Sequence, residues 1–121
     1  MNDILGISIL LPRLSENGGR KMSLTIEKKN EGTKDTVFLT GRLDTATAPE
    51  LDAFAGKELT NTQELVFDFA GLEYISSAGL RVILKMQKLM NAKGCMKLIH
   101  VNDVIKEVLE ITGFVDILTI E

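Results

Sequence analysis

The sequence predicts an α/β domain with a mostly parallel central sheet of about five strands, an N-terminal antiparallel hairpin and three to four helices. Two observations carry this prediction. Short apolar segments with period-two spacing alternate along the chain with longer segments of helical spacing. Glycines and capping residues separate these segments. A strand–helix–strand order favours right-handed crossovers and parallel pairing, with helices covering the sheet.

The first elements are a hairpin and a helix. Residues 24–29 and 36–43 read as strands, and turn residues that include Gly32 separate them, which favours an antiparallel hairpin. The next helix has Thr47 as a predicted N-cap, with Glu50 completing a capping box and Pro49 in the first turn. Its apolar face is predicted to consist of Leu51, Phe54, Ala55 and Leu59.

The second half of the chain repeats this alternation. Residues 64–72 read as a strand and residues 78–93 as a helix that ends at Gly94. Residues 95–101 are the next predicted strand, and residues 115–121 the last. Between them lies a helix with Asn102 as N-cap and Gly113 at its end. Its inward face is predicted to be Val104, Ile105, Val108 and Leu109.

Composition limits the classes of function. The chain has 121 residues, 45% of them hydrophobic and 26% charged, which fits one globular domain. A net charge of -3 argues against nucleic acid or an anionic membrane as the main partner. The single cysteine, Cys95, excludes an internal disulfide and favours a reducing, cytoplasmic compartment; its apolar surroundings predict burial. With only one histidine, His100, a Cys/His zinc cluster is excluded, and we expect neither a metal nor a cofactor.

The first 21 residues require a separate interpretation. The apolar segment at residues 4–12 is too short for a membrane helix, and it lacks the positive residues that begin a signal peptide. Residues 13–21 are polar and rich in turn formers. The segment NGGRKM at residues 17–22 also reads as a translated ribosome-binding site ahead of Met22. We therefore expect residues 1–21 to be a disordered or mis-assigned extension and residues 22–121 to be the domain.

The two serines in EYISSAGLRVILKMQ, residues 73–87, are the central candidates for function. A nucleophile elbow needs Gly-x-Ser-x-Gly, but Ile75 stands two positions before Ser77, and His100 lies in an apolar strand pattern. These points disfavour a hydrolase. Helix capping is the simpler role, since serine is a strong N-cap residue. Gly79 costs about 1 kcal/mol relative to alanine so early in a helix, which suggests a close approach at this turn.

Two segments of the chain resemble the STAS domain of bacterial anti-sigma factor antagonists. They are GRLDTATAPEL, with Asp44, and LVFDFAGLEYISSAGLRVIL, with Asp68 and Ser77; the resemblance extends over residues 24–120. It implies that an ATP-dependent anti-sigma kinase phosphorylates Ser77. It further implies that the unphosphorylated form binds this anti-sigma factor and frees a sigma factor. A PP2C-type phosphatase then removes the phosphate and restores the unphosphorylated form. The resemblance thus implies a non-enzymatic, cytoplasmic regulator, and we expect a monomer or weak homodimer.

One position departs from the family pattern. Many members have aspartate directly before the phosphorylated serine, and this chain has Ser76. Ser76 is therefore a minor candidate for phosphorylation, besides being the better candidate for the helix cap. The alternative function is an unphosphorylated STAS scaffold or sensor that binds another regulatory domain or a small ligand.

The helix after the serines suggests a surface for the partner. It carries one apolar stripe of Leu80, Ile83, Leu84 and Met90, a second of Val82, Met86 and Leu89, and a basic face of Arg81, Lys85 and Lys88. Either both stripes belong to the core, or the second stripe and Arg81 bind the partner beside Ser77. Asp44 is an acidic turn residue by default, and the family places its loop near the serine. The residues predicted to bind the partner are Asp44, Ser76, Ser77, Gly79, Arg81, Val82, Lys85 and Met86.

Overall fold

Five strands form one mixed sheet in the computed structural model, which describes residues 7–9 and 23–121. The spatial order follows the chain: β1 (Ile7–Ile9), β2 (Leu24–Glu31), β3 (Lys34–Leu43), β4 (Glu64–Ile75) and β5 (Cys95–Ile99). The pairs β1–β2 and β2–β3 are antiparallel, whereas β3–β4 and β4–β5 are parallel. The predicted hairpin and the parallel part of the sheet are thus confirmed.

Helices connect the parallel strands. α1 (Ala48–Glu58) lies between β3 and β4, and α2 (Ser77–Lys93) lies between β4 and β5. α3 (Asp103–Thr112) follows β5 and leads into a 3-10 helix at Phe114–Asp116. Asn102 caps α3 by accepting the Ile105 N–H at 2.9 Å, and Gly113 ends it in the left-handed conformation, both as the sequence predicts.

The core is centred on β4. Every residue from Leu65 to Phe69 is buried, so this strand is covered on both faces, whereas β3 alternates between buried and half-buried residues. Each helix adds apolar side chains, such as Leu51, Ile83 and Leu109, which are fully buried. Burying a side chain of this size stabilises the fold by about 1.5–3 kcal/mol.

The C-terminal segment differs from its prediction. Residues 115–121 do not form a strand; the 3-10 helix takes up the first two, and Ile120 makes one isolated parallel bridge to Leu98. After Gly113, the N–H groups of Ile117 and Leu118 both donate to Phe114 O. These turn-like hydrogen bonds compete with a strand conformation, and the fifth strand is β1 instead.

The predicted capping box of α1 is wrong. Thr47 precedes the helix, but its side chain makes no cap hydrogen bond. Its hydroxyl instead donates to Arg42 O at 2.8 Å, while Asp44 Oδ1 accepts the N–H groups of Ala46 and Thr47 at 3.0 and 3.1 Å. The same hydroxyl oxygen accepts the Asp44 N–H at 2.9 Å, so both hydrogen bonds point back toward the end of β3 and away from the helix N-terminus.

Three other expectations from the sequence are wrong in the second half of the chain. Cys95 is exposed, since the alternation of β5 buries Met96 and Leu98 instead. β5 ends at Ile99, so His100 lies beyond the strand, with a φ of 58°. Val104 is 62% exposed, although it belongs to the predicted inward face of α3.

The interpretation of residues 1–21 as an extension concerns residues that mostly lie outside the described ranges. Within them, β1 pairs with Glu27–Lys29 of β2. Across residues 7–9 and 23–121, no helix has both the length and the apolar character needed to cross a membrane.

Candidate functional site

The predicted site lies where two parallel strands end together. Leu43 at the end of β3 pairs with Ile75 at the end of β4, and the N–H of Ser76 donates to Leu43 O at 2.9 Å. The loop that contains Asp44 therefore lies beside the start of α2. Carboxyl ends of neighbouring parallel strands are a common place for binding sites in α/β proteins.

The two serines have different structural roles. Ser76 is the N-cap of α2: its backbone is extended, and its Oγ accepts the N–H of Gly79 at 3.3 Å. Ser77 is the first residue of the helix and is exposed. The cap predicted for Ser76 is thus confirmed, and the Ser77 side chain lies at the surface.

Gly79 is explained by contacts within the chain. A Cβ atom at this position would lie 2.7 Å from Leu43 Cγ and 2.8 Å from Leu43 O, with Ile75 Cγ1 at 3.1 Å. Gly79 itself is buried. The close approach predicted from the sequence therefore exists, but it joins α2 to β3. Gly79 has no side chain with which to contact a partner. Its contribution to partner binding is indirect: it lets the start of α2, which carries Ser77, pack against β3.

Asp44 is held mainly by its own loop. Its side chain is 18% exposed, and besides the Oδ1 contacts described above, Oδ2 lies 3.7 Å from Arg42 Nε. The Arg42 guanidinium in turn lies 4.3 Å from the centroid of the Tyr74 ring. Arg42 and Tyr74 were missed in the sequence because only the strand register makes them neighbours. Tyr74 is 39% exposed and adds an aromatic surface to this edge.

The basic face of α2 lies on the same side of the helix as Ser77. Arg81 follows Ser77 by four residues, and residues four apart lie one above the other on a helix. Arg81, Lys85 and Lys88 are all exposed. Lys85 Nζ contacts Asp52 Oδ1 of α1 at 2.9 Å, with the side chains 57% and 42% exposed. An ion pair this exposed contributes about 1 kcal/mol or less.

The second apolar stripe belongs largely to the core. Val82 is 9% exposed and Met86 4%. Both side chains pack inside the protein, which is the core alternative that the sequence left open and which argues against their predicted contacts with the partner beside Ser77. Leu89, the third member of the stripe, is 51% exposed and stays available at the surface.

His100 does not serve the serines. Its Nδ1 lies 2.9 Å from Oδ1 of the buried Asp68, near the point where β5 ends. β4 continues from Asp68 to Ile75 before Ser76 begins, and at about 3.3 Å per residue this separates the histidine from the serines by roughly 20 Å. A Ser–His nucleophile needs direct hydrogen-bond contact, which this distance excludes.

The sheet, the helix order and the serine-capped α2 define an α/β domain of the STAS type. The sequence pattern of the STAS domain matches residues 27–121, and the chain belongs to this family. A relative from Bordetella bronchiseptica, BtrV, which is named provisionally as an anti-sigma factor antagonist, is 38% identical over 81 residues. That match covers 65% of this chain and 70% of BtrV.

Solved structures agree on the fold. An anti-sigma factor antagonist from Mycobacterium paratuberculosis superimposes with a TM-score of 0.76 at 19% identity, covering 84% of this chain and 87% of that chain. SpoIIAA from Bacillus, in its phosphorylated form, gives a TM-score of 0.63 at 15% identity, covering 79% and 90%. Unphosphorylated SpoIIAA gives a TM-score of 0.63 at 14% identity, covering 79% and 86%.

Proposed function

We propose that this protein is an anti-sigma factor antagonist controlled by phosphorylation of Ser77. One observation carries the proposal: Ser77 is exposed at the first position of α2, and Ser76 supplies the helix cap. Ser77 can thus accept a phosphoryl group without removing the cap. The names of the relatives support this function, since BtrV is named for it and SpoIIAA has been solved with and without phosphate.

The position of Ser77 suits a switch that acts on binding and leaves the fold intact. A phosphoserine carries about -1.5 to -2 charge at neutral pH, and the N-terminus of a helix favours negative charge. Arg81, one turn further along α2, is placed to pair with the phosphate. Phosphorylation would therefore change the surface charge around Ser77 from cationic to nearly neutral while the core stays in place.

The change of surface charge around Ser77 indicates which kind of partner surface binds there. The unphosphorylated face offers Arg81, Lys85 and Lys88 around Leu84 and Leu89, which complement an acidic surface with an apolar centre. A phosphate added beside these cations would repel such a surface and make its apolar part costly to desolvate. The proposed partner is an anti-sigma factor that is itself a serine kinase. When the unphosphorylated protein binds this anti-sigma factor, the anti-sigma factor releases its sigma factor.

The reaction at Ser77 belongs to other proteins. The kinase transfers the γ-phosphoryl group of ATP to the Ser77 hydroxyl, and a PP2C-type phosphatase hydrolyses the phosphoester. This chain supplies the acceptor and acts as a non-enzymatic regulator in the cytoplasm.

Intact-mass measurement after incubation with the cognate kinase and ATP tests the proposal. We expect one phosphate per chain, no addition in Ser77→Ala, and retained addition in Ser76→Ala. If a kinase that is active on another substrate adds no phosphate here, the protein is an unphosphorylated scaffold or sensor. Ser76 in place of the family's aspartate is the observation that favours this alternative.

Binding of the unmodified protein is the second measurement. Ser77→Asp should weaken binding to the anti-sigma factor, and Ser77→Ala should bind like the wild type. Equal affinity of both variants would contradict control through charge at this position.

A further inference from the structure

Two surfaces away from Ser77 are not explained by phosphorylation. The first is a groove of about 630 Å³ between α1 and α2, with Ala53, Gly56, Leu59, Met86 and Leu89 among its lining residues. The second is an apolar ridge on α3, formed by the exposed Val104 and Ile111 with the half-buried Val108 between them. Single exposed apolar residues are ordinary, but a contiguous apolar surface on a small domain marks an interaction site.

The groove is open beside Gly56. Gly56 lies in the last turn of α1, and a glycine within a helix costs up to about 1 kcal/mol relative to alanine. A Cβ atom at this position would meet nothing within 4 Å, so no contact among the described residues calls for a glycine here. Leu89 borders this open space and is 51% exposed. The groove thus has room for an approaching side chain or helix.

The rim of the groove is cationic. Lys85 and Lys93 line it, and Lys88 lies on the exposed surface of α2 next to Leu89. Asp52 is the acidic residue in this lining, and it is already paired with Lys85. An occupant should therefore combine apolar side chains with negative charge.

The ridge on α3 has these properties. Val104, Val108 and Ile111 stand at i, i+4 and i+7, the spacing of a helix that binds in a groove. Val104 and Ile111 are 62% and 76% exposed. The adjacent side of the helix carries Asp103, Glu107 and Glu110, all of them exposed.

We propose that α3 of one molecule binds the α1–α2 groove of a second copy of this chain. The apolar ridge fills the space above Gly56 and packs on Leu89, and the acidic side faces Lys88 and Lys93. The two surfaces complement each other in both apolar character and charge. Of the five large apolar side chains that are exposed in the described part of the chain, three belong to these surfaces: Leu89, Val104 and Ile111.

Sedimentation analysis of the purified, unphosphorylated protein across the micromolar to millimolar range tests the contact. The wild type should associate with rising concentration, and Ile111→Asp and Leu89→Asp should each remain monomeric. A one-to-one mixture of these two variants should form a heterodimer and nothing larger. One variant keeps an intact groove and the other an intact ridge, so the mixture retains a single contact.

Gly56→Leu tests the contact between molecules in a variant whose fold stays stable. The space above Gly56 accepts a side chain and leucine favours the helix, so this variant should stay folded while it fills the groove. We expect its self-association to weaken at least about tenfold, while Glu31→Lys, a charge change at the exposed end of β2, leaves association unchanged.

A wild type that remains monomeric up to millimolar concentration would overturn the proposal. So would wild-type association of Gly56→Leu, or a mixture of Ile111→Asp and Leu89→Asp that forms no heterodimer. These measurements need neither kinase nor anti-sigma factor, so they are independent of the function proposed for Ser77.

Discussion

The separate roles of Ser76 and Ser77 give the sharpest prediction. Ser76→Ala removes the hydroxyl that accepts the Gly79 N–H. Loss of a serine N-cap costs about 0.5–2 kcal/mol. The hydrogen bond here is 3.3 Å long, beyond the usual 2.9–3.0 Å, so a cost in the lower half of this range is expected, about 0.5–1 kcal/mol. For a domain of this size, that corresponds to a fall in melting temperature of roughly 2–5 °C.

Chemical denaturation and thermal melting of matched variants measure this cost. Ser77→Ala is the control: it should lose less stability than Ser76→Ala and should abolish phosphate acceptance, which Ser76→Ala retains. Ser76→Asp restores the residue common in the family. It keeps a capping oxygen and adds negative charge at the helix N-terminus, which contributes about 0.3–1 kcal/mol. We therefore expect it to equal or exceed the wild type in stability.

The reverse result would refute the assignment. If Ser77→Ala were the destabilising variant and Ser76→Ala were neutral, Ser77 would be the structural cap. Loss of phosphate acceptance in Ser76→Ala, with Ser77→Ala still accepting it, would transfer the modification to Ser76.

Three further comparisons test the packing of Gly79, the cap of α3 and the basic face of α2. Gly79→Ala should lower the free energy of unfolding by about 1–3 kcal/mol, because the new Cβ clashes with Leu43. Gly56→Ala is the control: its new Cβ has no atom within 4 Å, so the free energy of unfolding should rise by up to about 1 kcal/mol. Equal effects of the two substitutions would contradict this account. Asn102→Ala should lower the free energy of unfolding, measured by chemical denaturation, by about 1–3 kcal/mol, because it removes the cap of α3 and a hydrogen bond to Leu72 O of β4. Asn102→Asp keeps the capping oxygen and should recover part of this loss. Lys85→Glu should weaken binding to the anti-sigma factor in titration calorimetry while stability falls by about 1 kcal/mol or less; unchanged affinity would make this face ordinary surface.

Local patterns in the sequence determined much of this protein. The hairpin, three helices, the caps at Ser76 and Asn102 and the ends at Gly94 and Gly113 all follow from short-range rules, because a helix terminus is satisfied by residues close to it in the chain. The resemblance to the STAS family likewise indicates Ser77 through the residues that surround it in the sequence. These features depend on residue type and spacing alone.

Only the tertiary structure decided which apolar and polar groups find partners far away in the chain. Val82 and Met86 are core residues, whereas Leu89 on the same stripe is exposed. The position of Gly79 early in α2 predicts a close approach, but only the fold shows that the neighbour is Leu43. The Thr47 hydroxyl donates to Arg42 O and accepts the Asp44 N–H, and it makes no cap hydrogen bond with α1. Each outcome depends on which element packs beside the residue, and strand register and helix placement decide this. A local sequence pattern gives only the spacing of residues along one element.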